Sequence, residues 1–359
     1  MTSTRRALVQ ATLALATAAC ARAAGSGRAP GLTAPPLKAA ADCPVGACLS
    51  TGELADPQFV ALLLRHFSQI TPEWQMKMER VLADDGALRF DAADAIAGFC
   101  ARQRLALHGT ALVWYAEKPL AFQRLSHSPS AFATAYRDYI RAIVGRYRGL
   151  ARGWDVLNEA VAEDGHGYRG GLWEAALGPD YARMAFEVSR EADPQAVLFV
   201  NDYNLETMPA KLDAFQRLVE RLLRSGAPLS GLGTQTHLSI DLSPGRAGLA
   251  IRALARFGLP IHVSELDVST RQQGWPADSI THVLQRQAAI VSEVAQAFME
   301  LPASQRYAFT VWGVRDKDSW LRRPPNQGDG SDRPLLFDDA GAAKPAFFAA
   351  RAALAARRA

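Results

Sequence analysis

Two glutamates in this chain follow short apolar runs, at points where buried strands should end. Asn158 and Glu159 end the run WDVLNEA, and Glu265 lies in the run HVSELDV. An unpaired carboxylate is costly to bury, so a glutamate at such a place either has partners or is kept for chemistry. Two separate carboxyl groups without a metal-ligand set fit hydrolysis of a glycosidic bond by an acid and a base or nucleophile. The alternative is that each glutamate belongs to a structural ion pair.

An imidazole and a third carboxylate favour the catalytic interpretation. His237, in TQTHL, lies where its ring could hydrogen-bond Glu265, and Asp267 could hold the other ring nitrogen. A carboxylate on one ring nitrogen fixes the tautomer of a histidine. The alternative is that His237 is a core residue whose ring is satisfied locally.

Tryptophans follow several of the predicted strand ends. Trp114, Trp312 and Trp320 occupy such ends or the loops after them, where an indole face can stack on a sugar ring. Trp154 opens a strand and is predicted to lie in the core, whereas Trp173 fits either role. These positions are consistent with a carbohydrate cleft.

The elements that must position these side chains form one α/β domain over residues 43–359. Apolar runs predict strands near 45–50, 68–71, 106–109, 153–158, 197–201, 231–236, 261–264 and 308–312. Amphipathic stretches predict helices between them, including 91–102, 131–148, 181–192, 212–225, 245–257 and 280–297. Eight such units predict a (β/α)₈ TIM barrel, whose active site lies at the carboxyl ends of the strands. No G-x-G-x-x-G or P-loop follows the first strands, so nucleotide binding has no support.

The N-terminal segment predicts export. Arg5 and Arg6 precede an Ala/Leu-rich run that ends at Cys20, and Ala21-Arg22-Ala23 has small residues where a signal peptidase cuts. We interpret residues 1–23 as a twin-arginine-like signal peptide and residues 24–42 as an Ala/Gly/Pro-rich tether. The apolar run is too short to span a membrane, so a periplasmic or secreted protein is expected.

The charge and the cysteines constrain the partners. The formal net charge of +4 would fall to +1 on removal of residues 1–23, which contain three arginines and no acids, so a nucleic-acid partner is not indicated. Cys43 and Cys48 could pair in an oxidising compartment, and Cys100 is predicted to be a buried thiol. No Cys or His spacing resembles a zinc site. We expect no metal, no cofactor and a monomer.

Eight stretches together resemble the glycoside hydrolase family 10 endo-β-1,4-xylanases over about residues 44–350. They read ITPEWQMK (70–77), LHGTALVW (107–114), WDVLNEA (154–160), FVNDYN (199–204), GTQTHL (233–238), HVSELDV (262–268), TVWGVRDKDSW (310–320) and PLLFDDAGAAKPAF (334–347). The resemblance implies a barrel that cleaves internal β-1,4 bonds of xylan with retention of anomeric configuration. Other interpretations are a retaining hydrolase of another β-linked glycan or of a decorated oligosaccharide, and a carbohydrate-binding barrel with little turnover.

The resemblance also implies roles for single residues. Glu159 matches the acid/base and Glu265 the nucleophile, and Asn158 matches the amide that bonds the 2-hydroxyl of the sugar under attack. His237 and Asp267 match the pair that orients the nucleophile. Substrate-binding positions are matched by Glu73, Lys77, Trp114, Gln235, Trp312 and Trp320.

Some positions depart from the family. Trp74 stands where the family has asparagine, and Thr110 where it has a sugar-binding histidine. Met78 replaces a tryptophan, and Glu117 stands in the place of a glutamine. The resemblance therefore implies that the hydrolytic residues are kept while subsites for sugars on the non-reducing side are altered.

Overall fold

A computed structural model describes residues 30–271 and 279–356 of the chain. The predicted signal peptide, residues 1–23, and the first part of the predicted tether lie outside the described residues. Within the described ranges, no helix has both the length and the apolar character needed to cross a membrane.

A closed parallel barrel forms the centre of the molecule. Its strands are β1 (Val45–Leu49), β2 (Gln69–Pro72), β3 (Ala106–Trp114), β4 (Ala151–Asn158), β5 (Val197–Asp202), β6 (Gly231–Thr234), β7 (His237–Ser239), β8 (Ile261–Ser269) and β9 (Arg306–Val311). Strands β1 to β6 pair in sequence, β6 pairs with β8, and β9 lies between β8 and β1. Among the described residues, the short β7 pairs only with the carboxyl end of β8. Eight strands thus close the barrel, which confirms the predicted (β/α)₈ fold.

Helices pack around the outside of the barrel. They are α1 (Pro57–His66), α2 (Met78–Val81), α3 (Asp91–Gln103), α4 (Leu120–Leu125), α5 (Pro129–Arg146), α6 (Gly171–Leu177), α7 (Tyr181–Ala192), α8 (Pro209–Arg224), α9 (Leu249–Leu254), α10 (Ile280–Met299) and α11 (Pro345–Ala355). Helix α1 shows why such a segment forms a helix. The Asp56 side chain caps its first amides, and Phe59, Leu62 and Leu63 are buried at helical spacing.

Two strands are longer than the sequence predicted. β3 continues past Gly109 to Trp114, and β8 continues past Ser264 to Ser269. Both contain register shifts, between Thr110 and Val113 in β3 and after Val263 in β8. The buried polar side chains in these segments interrupt the apolar pattern, so the predicted ends came too early. The predicted helix 245–257 is instead the shorter α9 followed by a 3₁₀ turn, Ala255–Phe257.

The described part of the predicted tether packs against helix α1. Leu37 is fully buried, and its amide donates to His66 Nδ1 at 3.3 Å. His66 Nε2 lies 3.0 Å from the carbonyl oxygen of Gly31, and Arg65 donates to the carbonyl of Ala34. Packing onto the barrel therefore begins before residue 43.

The cysteines of the described chain are free thiols. Cys43 and Cys48, whose pairing the sequence left open, are not bonded to each other. Cys100 is buried in helix α3, as its sequence context predicted. The described fold therefore does not depend on a disulfide.

Candidate active site

A cavity of about 560 Å³ lies at the carboxyl ends of the strands. Predicted site residues that line it are Glu73, Trp74, Lys77, Trp114, Glu159, Gln235, His237, Glu265, Asp267, Trp312 and Trp320. Asn158 is buried beside it, at the end of β4. Thr110 is buried within β3 and does not line the cavity. Trp154 and Trp173 are both buried, which settles the open role of Trp173 as packing.

Glu159 occupies the first position after β4. Its backbone has φ of 54°, in the left-handed region, and its amide donates to the carbonyl of Asn201 at 2.8 Å. The carboxyl group accepts from Trp114 Nε1 at 2.8 Å and from Gln235 Nε2 at 3.1 Å. Left-handed backbone is rare for a residue with a long side chain and persists where the surroundings hold it. Here it turns the chain out of the barrel while the carboxyl group remains in the cavity.

Glu265 lies inside β8 on the cavity side. Its Oε1 accepts from Asn201 Nδ2 at 3.0 Å, and its Oε2 lies 3.5 Å from His237 Nε2. Burial raises the pKa of Glu265 above its ordinary value, while His237 and Lys77 act to lower it. The charged form of this carboxylate therefore depends on the cations beside it.

His237 bridges two carboxylates. Its Nδ1 lies 3.0 Å from Asp267 Oδ1, and Trp320 Nε1 donates to Asp267 Oδ2 at 2.8 Å. Burial alone would lower the pKa of His237, but Asp267 and Glu265 raise it to about 10. The imidazolium form therefore persists at neutral pH and supplies a positive charge next to Glu265. The sequence predicted this grouping.

Amide side chains connect the two glutamates. Asn201 Nδ2 donates to Asn158 Oδ1 as well as to Glu265, both at 3.0 Å. Gln235 donates to Glu159, and Ser264 Oγ donates to Asn201 Oδ1 at 2.8 Å. Sequence reasoning placed Asn201 at a strand end but did not include it among the site residues. Its position in FVNDYN, directly after an apolar run, is the signal that could have found it.

Lys77 lies between two indoles at one end of the cavity. Its Nζ is 4.2 Å from the ring centroid of Trp74 and 4.6 Å from that of Trp114. Such cation–π contacts fix both rings and keep the ammonium group in place. Glu73 accepts from Ser50 Oγ at 2.8 Å and forms an ion pair with Arg323. Arg323 was missed because 250 positions separate it from Glu73, and no local pattern indicates such a contact.

Tyr203 and Asn204 line the cavity after β5. Arg169 donates to the hydroxyl of Tyr203 at 2.9 Å, and its guanidinium group lies 4.6 Å from the ring centroid of Tyr115. These residues were also not predicted as site residues. The ring of Tyr203 and the side-chain amide of Asn204 add aromatic and polar surface to the cavity.

The candidate metal ligands found in the described residues lie in the barrel core. His108, Asp155 and His262 approach one another there, and none of them lines the cavity. His108 Nε2 is 3.1 Å from Asp155, and His108 Nδ1 is 3.1 Å from the hydroxyl of Tyr307. We interpret this group as a hydrogen-bonded packing unit of the core.

Comparison with known proteins identifies the family. The sequence model described as Glycosyl hydrolase family 10 matches residues 36–353. Endo-1,4-beta-xylanase A of Caldicellulosiruptor sp. (strain Rt8B.4) is 33% identical over 311 residues, which are 82% of this chain and 44% of that protein. Endo-1,4-beta-xylanase B of Thermotoga neapolitana is 30% identical over 298 residues, 82% of either chain. The chain thus spans less than half of the first relative and most of the second.

Solved structures agree with this assignment. Xylanase B from Clostridium stercorarium F9 superposes with a TM-score of 0.79 at 30% identity, covering 88% of this chain and 99% of that one. A thermostable mutant of a xylanase from Cellvibrio japonicus gives a TM-score of 0.81 at 30% identity, over 89% and 100% of the two chains. Since the family model matches most of its length and the barrel is the same, the chain belongs to glycosyl hydrolase family 10.

Proposed function

We propose that this protein is an endo-acting β-1,4-xylanase that works by double displacement and retains the anomeric configuration. The observation that carries the proposal is that Glu159 and Glu265 face one cavity and are connected through Asn201, Asn158 and Gln235. The xylanase names of the relatives support xylan as the substrate.

In the first step, the Glu265 carboxylate attacks the anomeric carbon while Glu159 gives its proton to the departing glycosidic oxygen. The bond to the leaving sugar breaks, and a covalent glycosyl-enzyme forms on Glu265. In the second step, Glu159 removes a proton from water as the water oxygen attacks the same carbon. This releases the sugar, restores the Glu265 carboxylate and leaves Glu159 protonated for the next cycle.

Neighbouring groups prepare both carboxyls for these steps. The imidazolium of His237, held by Asp267, stabilises the charged form of Glu265. Asn158 matches the amide that bonds the 2-hydroxyl, and its side-chain oxygen is already fixed by Asn201. Trp114, Trp312 and Trp320 offer aromatic surface to sugar rings.

Reducing-sugar release from xylan, measured in buffer that contains a chelator, tests the proposal. We expect shorter xylo-oligosaccharides to accumulate at an undiminished rate, because no metal is assigned a role. Retention on insoluble glycan in a pull-down, without release of reducing sugar, would indicate a carbohydrate-binding barrel instead. Activity that the chelator removes and one metal restores would contradict the mechanism.

The Trp74 substitution is predicted to retune substrate choice, whereas Thr110 is buried within β3, does not line the cavity and is not expected to contact sugars. Trp74 lines the cavity and is 36% exposed, in place of an amide that the family resemblance sets against sugars. A hydrogen bond there contributes about 0.5 to 1.5 kcal/mol, so Trp74→Asn should raise kcat/KM on unsubstituted xylo-oligosaccharides roughly 2- to 10-fold. Phe348→Asn, at an exposed aromatic residue of helix α11, is the control and should leave kcat/KM unchanged. A Trp74→Asn variant no better than the parent would remove this position from specificity.

A second candidate function is hydrolysis of a decorated or different β-linked glycan. The altered Trp74 and the Arg323–Glu73 ion pair at the same end of the cavity favour it. A panel of defined β-linked oligosaccharides, compared by kcat/KM, separates the two candidates. A plain xylo-oligosaccharide that outperforms every decorated member of the panel would exclude the second.

We further propose that the protein is exported with loss of its first 20 or so residues and acts as a monomer. The paired arginines and the apolar run before Cys20 support the export part of this proposal. Intact-mass measurement on protein from the periplasm or the medium should give a chain shortened near residue 23. A full-length mass in that fraction would contradict the prediction.

A further inference from the structure

Lys211 is a fully buried lysine that does not line the cavity. It lies in helix α8, with Nζ 3.1 Å from Asp202 Oδ1 and 3.1 Å from Glu163 Oε2. The same atom is 3.4 Å from the ring centroid of Tyr203. A buried ammonium group is costly unless such partners compensate it, so this arrangement calls for an explanation.

Asp202 is the partner that connects Lys211 to the active site. This carboxyl is fully buried at the end of β5, where Oδ2 accepts from the amide of Val161 at 3.0 Å and Oδ1 from the amide of Tyr203 at 3.0 Å. Burial raises the pKa of Asp202 to about 6, against the opposing effects of Lys211 and the Val161 amide. Without Lys211 the charged form would lose its main counterion.

Val161 lies two residues after Glu159, in the same turn. Two hydrogen bonds hold this turn. The Glu159 amide donates to the carbonyl oxygen of Asn201, and the Val161 amide donates to the carboxyl group of Asp202. Since Glu159 has left-handed backbone, the aim of its carboxyl group depends on these two backbone contacts as well as on the side chains of Trp114 and Gln235.

We infer that Lys211 is a positioning residue for Glu159: by compensating Asp202 it holds the turn that aims the Glu159 carboxyl at the departing oxygen. The inference rests on the acid role in the proposed function. Glu265 is held by the side chains of Asn201 and His237, whose other partners are Asn158, Ser264 and Asp267 rather than Lys211 or the Asp202 carboxyl group. Loss of Lys211 should therefore impair protonation of the leaving group and spare nucleophilic attack.

The ratio of kcat/KM on a substrate with a poor leaving group to that on one with a good leaving group tests this role. A purely structural role for Lys211 would lower both constants equally and leave the ratio unchanged. Lys211→Met is expected to lower kcat/KM on xylotetraose, whose departing sugar is a poor leaving group, by roughly 10- to 100-fold. A small misplacement of a catalytic group has an effect of this size. A dinitrophenyl β-xylobioside needs no proton on its leaving group, so its kcat/KM should change less than about threefold. The matched control is Lys344→Met, which breaks another buried lysine–aspartate pair, with Asp316 at 2.9 Å, and should leave the ratio of the two constants unchanged.

Two double variants test the connection through Asp202 and keep the test valid should Lys211→Met fail to fold. Both remove the buried ion pair as a whole, which is far less damaging than removing one partner. In Lys211→Met with Asp202→Asn, the one side-chain oxygen can still accept from Val161, although the contact with the Tyr203 amide is lost, so the ratio should return toward the parental value. In Lys211→Met with Asp202→Leu, nothing accepts from Val161 at that position, so the ratio should fall as in the single variant.

Equal ratios in the two double variants would overturn the inference, as would a Lys211→Met variant whose losses on the two substrates are the same. Glu159→Ala, assayed alongside, distinguishes this failure from failure of the proposed function. If Glu159→Ala itself shows no dependence on the leaving group, the acid role is wrong and the inference falls with it. If Glu159→Ala shows the dependence and the Lys211 variants do not, only the inference is wrong.

Discussion

Replacing Glu265 by alanine is expected to abolish turnover on every substrate, whatever its leaving group. Both steps of the proposed mechanism need the covalent bond to this carboxylate, so no substrate can bypass its loss. The expected fall in kcat is on the order of 10⁴-fold or more, in the range seen when a nucleophile is removed. Initial rates on xylotetraose and on a dinitrophenyl β-xylobioside measure it.

The surroundings of Glu265 explain why this residue, among the many carboxylates of the chain, suits the nucleophile's role. Burial raises its pKa, and alone this would favour the protonated, unreactive form. The imidazolium of His237, whose pKa is raised to about 10, and the ammonium of Lys77 favour the charged form. The cations beside this buried carboxylate thus oppose the effect of burial and favour the ionised form that attack on carbon requires.

Azide provides a second test of the same assignment. In Glu265→Ala, azide can enter the vacated space and attack a dinitrophenyl glycoside directly, which gives a glycosyl azide of inverted, α configuration. Glu117→Gln is the matched control: the family has glutamine there, the side chain is buried outside the cavity lining, and an amide oxygen can still accept from the Glu79 amide. Near-parental activity is expected for that variant. Substantial turnover by Glu265→Ala without azide would remove Glu265 from the nucleophile's role.

The sequence predicted the architecture and the two glutamates for a physical reason. In a parallel barrel the polar residues that follow each apolar run must meet at one rim, so strand-end identity is enough to group Glu159, His237 and Glu265. The prediction was least accurate where polar residues lie inside a strand. β8 continues through Glu265 and Asp267, and the apolar pattern alone ended it at Ser264.

The buried partners of the polar residues at the rim were harder to find from sequence. Arg323 contacts Glu73 across 250 positions, and Lys211 contacts Asp202 from the helix that follows β5. Each lies in a segment whose local pattern indicates only a loop or a helix. Asn201 had a recognisable place after β5, but its two donor contacts to different strands depend on the closure of the barrel. Strand-end rules therefore locate the polar groups at the rim better than the partners of those groups.

Glu159→Ala should behave differently from Glu265→Ala, because the proton it supplies is needed only by poor leaving groups. A dinitrophenolate departs unaided, so formation of the glycosyl-enzyme from an activated glycoside should remain fast. Xylotetraose should lose roughly 10²- to 10⁴-fold in kcat/KM, the usual contribution of general acid catalysis. Burst kinetics on the activated substrate should show the glycosyl-enzyme accumulating, since the base for the second step is missing as well.

The anomeric configuration of the azide product distinguishes the roles of the two glutamates. In Glu159→Ala the covalent intermediate on Glu265 still forms, and azide attacks it from the face that the Glu159 side chain has vacated. Two inversions then give a glycosyl azide of retained, β configuration, whereas Glu265→Ala should give the α product by one inversion. Because azide needs no base, it should also restore turnover of the activated substrate in Glu159→Ala. Equal losses on xylotetraose and the dinitrophenyl glycoside, or an α-configured azide product, would assign the acid to a residue other than Glu159.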